Sequence, residues 1–218
     1  MSDGTHRSRR EVLAGSAAGL GAIAGCATLF TGGGDASRVS MLAAGSLANA
    51  VENGLRPAVD QRLRPEFRGS AAAARLVAAG ERDPDIVSLA DVALFSGPLS
   101  PTWYAAVATN AVVLAYDPST PGGRRVAAAP DRWYEPLLAG TVRLGRTDPD
   151  LDPLGYRTLF ALDLATDHYE TDTDLRAAIP TRAQIYPETR LASAFEIGEL
   201  EAAFVYRSTA VDRGYDHV

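Results

Sequence analysis

The chain has 218 residues, of which 46% are hydrophobic, with 21 basic and 27 acidic side chains and a net charge of −6. A net-negative chain without a basic cluster argues against a nucleic-acid partner, because phosphate contacts need concentrated positive charge. Three histidines and one cysteine are too few and too scattered for a zinc site or a disulfide, so we expect neither a metal centre nor a cofactor. The length suits one or two modest domains.

All of the basic residues are arginine, and lysine does not occur. An acidic chain of this kind is typical of halophilic archaea, where carboxylates favour solubility at high salt. A GC-rich genome that encodes arginine in place of lysine predicts the same composition. Both explanations stay open on composition alone.

The N-terminal stretch predicts export. Arg9 and Arg10 precede a short apolar segment over residues 14–24, which is typical of a twin-arginine signal spanning residues 1–25 and is too short to cross a membrane. A disordered tail before an ordinary helix is the alternative. The single cysteine, Cys26, stands where processing would occur and resembles the lipidated residue of a lipobox. We therefore expect residues 26–37 to form a lipid anchor on Cys26 and a flexible Gly-rich tether.

Strand and helix patterns then alternate, which predicts βαβ units and an α/β fold with a largely parallel sheet. In such sheets, ligands bind at the carboxyl ends of the strands. The predicted elements are a strand at 39–43, a helix from the 44–46 loop through Arg64, a helix from Ser70 to about 79, and a strand at 85–89.

Ser46 and Ser70 occupy equivalent places in these two units, each at the start of a predicted helix. A lone serine there is most often only a helix cap. Hydroxyls and N–H groups at helix starts can also bind an anion with neutral donors, so that no lysine or arginine is required.

The second part of the chain continues the same pattern. Trp133 and Tyr134 begin a short predicted helix, and we assign these aromatic side chains to packing rather than to a stacking platform. The other predicted elements are strands at 111–115, 141–144 and 202–206, and helices at 153–168, about 172–179 and 187–196.

Three carboxylates precede the helix at 153–168: Asp148, Asp150 and Asp152. Asp152 followed by Pro153 predicts an N-cap and a first helical residue. The other two carboxylates are most simply solvated turn residues. A calcium loop is disfavoured, because proline replaces the required glycine and Leu159 replaces the bidentate glutamate. An enzyme in which these three aspartates hold a divalent metal that activates water is a further alternative.

The run Asp-Pro-x-x-Asp-Pro-x-Gly-Tyr-Arg at 148–157 resembles the signature of archaeal-type molybdate/tungstate ABC-transporter substrate-binding proteins. Four further segments align in the same order, and the similarity covers most of the chain after residue 38. These segments are Ala44–Leu47, Gly69–Ser70 with the helix to Arg75, 109–116 and 204–208.

This resemblance implies a two-lobed type II periplasmic-binding-protein fold with the ligand cleft between the lobes. Lobe 1 would span 38–108, lobe 2 would span 109–206, and 207–218 would return toward lobe 1. The family normally continues beyond the segment that matches Tyr215 to Val218. The resemblance therefore implies that the C-terminal part of lobe 1 is missing.

The implied function is capture of molybdate or tungstate outside the cytoplasm for an ABC permease, by a monomer that is not an enzyme. The protein would be held at the outer face of the membrane by the lipid on Cys26. Another tetrahedral oxyanion such as sulfate is the alternative ligand. The residues that the resemblance and the helix starts assign to ligand binding are Ser46, Ser70, Thr147, Asp152 and Tyr206.

One position departs from the family. There, the aspartate matching Asp152 is joined by a glutamate from a Phe-Glu-Tyr motif, and together they complete six-coordination around the metal of the bound oxyanion. The chain has Val205 in place of that glutamate. We therefore expect tetrahedral binding by hydrogen-bond donors, with one contact from Asp152, or an altered specificity.

Overall fold

Two β-sheets organise residues 38–218, the part of the chain that the computed structural model describes. These residues belong to one compact unit. The predicted export signal, the lipidation of Cys26 and the tether lie outside the described residues. Within 38–218, every helix falls short of the length and apolar character needed to cross a membrane.

The first sheet has three parallel strands in the order β2-β1-β3. Its central strand buries four consecutive residues, Met41 to Ala44, because helices and loops cover both faces. The elements of this half are β1 (Arg38–Ala44), a 3-10 turn (Gly45–Leu47), a π-helical segment (Ala50–Leu55), α1 (Arg56–Ala58), β2 (Arg62–Arg68), α2 (Ser70–Ala78) and β3 (Ile86–Ser88).

The prediction of a helix through Arg64 is wrong, because β2 begins at Arg62. Val59 already has extended backbone angles after α1. Leu63 is buried and pairs in register with Val39 of β1. Pairing with a long neighbouring strand thus overrides the local helical pattern.

The second sheet has five strands in the order β6-β5-β7-β4-β8 and is mixed. β5 runs parallel to β6 and β7, whereas β4 is antiparallel to β7 and β8. Its strands are β4 (Val112–Tyr116), β5 (Leu144–Arg146), β6 (Gln184–Ile185), β7 (Ala202–Tyr206) and β8 (Asp216–His217).

One predicted strand is displaced in this sheet, and the C-terminal residues add another strand to it. β5 lies at Leu144–Arg146 rather than at 141–144, because Leu144 and Gly145 pair with Ala202 and Ala203 of β7. The C-terminal residues were expected to return toward lobe 1. They form α8 (Arg207–Arg213) and β8, and β8 extends the edge of the second sheet beside β4. The Asn49 side-chain amide of the first half donates a hydrogen bond to Asp212 of α8.

Helices cover the second sheet and bury its main core. Trp133 packs edge-on against Phe204 of β7 with ring centroids 6.1 Å apart, and Tyr134 is buried in the same core, as predicted for these aromatics. The helices are α3 (Pro121–Ala127), α4 (Tyr134–Leu138), α5 (Pro153–His168), α6 (Leu175–Ala178) and α7 (Glu188–Glu196). The predicted bounds of α5 agree with the structure, and Gly198 follows α7 with a φ of +78°.

Candidate functional site

The five residues predicted to bind ligand all follow the carboxyl end of a strand. Ser46 lies in the turn after β1, and Ser70 is the first residue of α2, which follows β2. Thr147 follows β5, and Asp152 is the N-cap of α5. Tyr206 is the last residue of β7. This is the edge at which α/β sheets bind ligands.

The start of α2 touches the loop before α5, so residues from the two sheets meet there. The Ala72 N–H donates a hydrogen bond to the Leu151 carbonyl at 3.0 Å. A methyl group on Gly69 would lie 2.6 Å from that carbonyl oxygen and 2.9 Å from the Asp152 Cβ. Glycine at this position therefore permits the close approach of the two elements.

Asp152 is buried and organises the loop after β5. Its Oδ1 accepts hydrogen bonds from the Thr147 hydroxyl at 2.8 Å and from the Gly155 N–H at 3.0 Å. Burial raises the pKa of the Asp152 carboxyl, although these hydrogen bonds oppose the shift. The Thr147 hydroxyl thus supports Asp152.

Ser70 is fully buried and is not simply a helix cap, since Gly69 holds the N-cap position. Its Oγ accepts a hydrogen bond from the Ala90 N–H at 3.0 Å. A serine hydroxyl that accepts one bond keeps its own hydrogen for another acceptor. Ser70 is therefore equipped to donate to a ligand.

The residues predicted from the sequence did not include Glu188, the first residue of α7. Both of its carboxyl oxygens are buried, and neither has a hydrogen-bond partner of normal geometry within residues 38–218. A methyl group on Gly45 would lie 3.0 Å from the Glu188 Oε2. Burial and the nearby Asp152 carboxylate raise the pKa of Glu188 to about 7. The Ser46 hydroxyl and the N–H groups of Ser46 and Gly45 act in the opposite direction and lower this pKa.

The sequence does contain a weak signal for Glu188, which follows Pro187 in the first turn of a helix. Acidic residues are common there because they complement the helix dipole, so the pattern does not single out a site. Only the placement of α7 beside the Gly45–Leu47 turn brings this carboxylate to the candidate site.

Tyr206 completes the cluster. Its hydroxyl is buried without a hydrogen-bond partner in the described part of the chain. Burial and the nearby Glu188 carboxyl raise the pKa of Tyr206, so the hydroxyl keeps its proton. A protonated and unpartnered hydroxyl is a donor available to a bound anion.

Asp152 is accompanied by a second carboxyl group, that of Glu188, whose oxygens are buried. Val205, which replaces the expected glutamate, is buried in an apolar core with Leu191 and Ala210. Glu188 lies close enough to Asp152 for the Asp152 carboxylate to raise the pKa of Glu188. The second carboxylate thus comes from α7 and not from β7.

The three aspartates of the metal-enzyme alternative do not converge. Asp148 accepts a hydrogen bond from the Asp150 N–H at 2.9 Å, which closes a local turn. Asp150 is exposed, whereas Asp152 is buried. Among residues 38–218, there is no group of three or more His, Cys, Asp or Glu side chains arranged to hold a metal ion.

Known proteins with similar sequences include two whose names specify a ligand. A protein of Haloferax volcanii, provisionally named as an ABC transporter molybdenum-binding protein, is 52% identical over 97% of this chain and 69% of its own length. A molybdate/tungstate-binding protein of Thermococcus kodakarensis is 30% identical over 72% of this chain. The match covers 51% of that protein, so the chain corresponds to about half of it.

Among solved structures, the sulfate-binding protein of Mycobacterium tuberculosis matches with a TM-score of 0.59 at 14% identity. The match covers 84% of this chain and 70% of that protein, and it confirms the predicted periplasmic-binding-protein fold. The family model described as bacterial extracellular solute-binding protein matches residues 39–217. The chain therefore belongs to the family of bacterial extracellular solute-binding proteins.

Proposed function

We propose that this protein captures molybdate or tungstate outside the cytoplasm and presents it to an ABC importer. The names of the relatives from Haloferax volcanii and Thermococcus kodakarensis support this ligand class. The observation that carries the proposal is that two buried polar groups beside Asp152, the Glu188 carboxyl and the Tyr206 hydroxyl, have no hydrogen-bond partner of normal geometry within residues 38–218. Buried polar groups without partners are costly unless a ligand satisfies them.

The donors of the site suit a tetrahedral dianion, whose oxygens only accept hydrogen bonds. The hydroxyls of Ser46, Ser70 and Tyr206 are neutral donors, and α2 and α5 start at the same place with the positive ends of their dipoles. Charge on the anion strengthens each of these hydrogen bonds. These donors are neutral, and the Arg157 guanidinium lies near the Tyr206 hydroxyl.

The Asp152 carboxyl group favours molybdate or tungstate over sulfate. A carboxylate next to a dianion is repulsive unless it is protonated or its oxygen binds the central atom directly. Molybdenum and tungsten accept additional oxygen ligands, whereas the sulfur of sulfate does not. Asp152 would therefore repel sulfate and contact the metal of the other two anions, whereas Glu188 repels a dianion unless it is protonated.

The proposal extends to the setting of the protein. It includes export by the twin-arginine route and a lipid on Cys26. It also includes a monomeric state, a halophilic archaeal source and a role other than catalysis. The family description as extracellular supports export. The ABC permease would be the macromolecular partner.

Isothermal titration of the purified protein at high salt tests the ligand class. We expect molybdate and tungstate to bind at least about tenfold more tightly than sulfate.

Replacing Ser46 and Ser70 together by alanine is expected to weaken binding about tenfold or more, because two donors to a charged ligand are lost. The control is Ser96→Ala, since Ser96 is exposed and bonds only to the Ala93 carbonyl. Absence of binding to all three anions by folded protein would overturn the proposal.

Binding is also expected to depend on pH. Glu188 becomes neutral as the pH falls through its raised pKa of about 7, so repulsion of the dianion decreases. The affinity of the wild-type protein for molybdate should therefore weaken by up to about tenfold per pH unit above pH 7. Titrations at pH 6, 7 and 8 check this, and Glu188→Gln should flatten the dependence. An equal slope in both proteins would show that Glu188 is not the titrating group.

A further inference from the structure

A second cluster joins the two halves of the described chain next to the candidate site. Asp91 lies in the loop after β3, and Tyr156 and Arg157 lie in the first turns of α5. The Tyr156 hydroxyl donates to the Asp91 Oδ2. The Arg157 Nη2 lies 3.2 Å from the Asp91 Oδ1, and the Arg157 Nη1 donates to the Ala90 carbonyl at 3.0 Å.

The cluster is connected to a ligand-binding residue on each side. The Ala90 N–H donates to Ser70 in the first half, so the loop that holds Asp91 also holds that serine. On the other side, Tyr156 and Arg157 follow the N-cap Asp152 in the same helix. The cluster therefore connects Ser70 to Asp152 in addition to the direct hydrogen bond from the Ala72 N–H to the Leu151 carbonyl.

We propose that Asp91, Tyr156 and Arg157 form a latch that holds the two halves of the anion site at their binding separation. The inference rests on the proposed function, and it assigns these three residues as positioning residues that act through Ser70 and Asp152. Anion release requires the two halves to separate, and separation breaks the latch.

The chemistry of the latch suits a contact that opens and closes. The Asp91 side chain is 12% exposed and that of Arg157 is 34% exposed, so water enters when the contact breaks. Burial alone would raise the pKa of Asp91, but the Tyr156 hydroxyl, the Ala93 N–H and the Arg157 guanidinium lower it overall. Asp91 thus remains charged, and charge-assisted hydrogen bonds are stronger than neutral ones.

Stopped-flow kinetics of molybdate binding to the full chain test the latch. Asp91→Asn is expected to raise the dissociation rate about tenfold while the association rate changes less than about threefold, because the closed state loses stability. Tyr156→Phe removes only one hydroxyl and should raise the dissociation rate severalfold. The two changes together should be less than additive, since both act on one cluster.

The matched control is Asp163→Asn, which removes another aspartate–arginine pair from α5. Asp163 binds Arg176 at 2.5 Å on the exposed part of that helix, and its loss should leave both rate constants unchanged. Dissociation rates equal to wild type in both Asp91→Asn and Tyr156→Phe would overturn the latch. A thermal melt of each variant verifies that a faster dissociation is not caused by unfolding.

A distance measurement separates failure of the latch from failure of the proposed function. Spin labels on cysteines at the exposed positions Glu81 and Asp172, with Cys26→Ser, report on the two halves without added anion. Asp91→Asn should broaden the distance distribution relative to the doubly labelled wild type. If the distribution broadens in a protein that binds none of the anions, the latch is supported and the proposed ligand is wrong. If the distribution does not change, the latch is wrong.

Discussion

Replacing Glu188 with glutamine is expected to stabilise the protein by about 3 kcal/mol at pH 8 and to change its stability little at pH 4.5. The ordinary pKa of a glutamate carboxyl is 4.5, and burial with the adjacent Asp152 raises the pKa of Glu188 to about 7 in the folded protein. The folded state therefore binds the proton more tightly than the unfolded state. This contribution to the free energy of unfolding is present at low pH and is lost as the pH rises from 4.5 through 7.

Glutamine is neutral at every pH and does not undergo this loss. Urea unfolding at pH 4.5 and pH 8, at constant salt, measures the two differences in free energy. Glu81→Gln serves as the control, because Glu81 is exposed and its replacement should change stability by less than about 0.5 kcal/mol. An equal effect of Glu188→Gln at both pH values would contradict the buried, ionising carboxyl.

Replacing Gly69 with alanine is expected to weaken molybdate binding at least about tenfold while the protein remains folded. The added methyl group would lie 2.6 Å from the Leu151 carbonyl oxygen and 2.9 Å from the Asp152 Cβ. Backbone cannot yield as a flexible side chain does, so the start of α2 must move away from the loop before α5. Ser70 and Asp152 then move apart, and the Ala72 hydrogen bond to Leu151 is weakened.

Titration calorimetry and a thermal melt of the same sample measure this effect. Gly54→Ala is the matched control, since a methyl group there would meet no atom of residues 38–218 within 4 Å, apart from its chain neighbours and its own helix backbone. The control should bind like the wild-type protein. Normal affinity in Gly69→Ala would show that the approach of α2 to Asp152 does not matter for binding.

Local sequence signals were enough to predict several elements of the fold and most of the candidate site. Asp152 and Pro153 determine the start of α5 through a cap and a missing N–H, both of which act within one turn. The alternation of strands and helices determined that Ser46 and Ser70 follow parallel strands, and the order of the motifs indicated the family. These features depend on neighbours in sequence, so the chain alone carries them.

Tertiary structure decided the features that depend on partners distant in sequence. β2 forms where a helix was predicted, because it pairs along the whole length of β1. The C-terminal strand β8 joins the second sheet through pairing with β4, about a hundred residues earlier. Glu188 places a second carboxyl group beside Asp152, and no local pattern distinguishes this residue from a surface acid at a helix start. Its buried position and raised pKa arise only because α7 packs against the Gly45–Leu47 turn and beside Asp152, and burial among distant elements is a property of the folded chain.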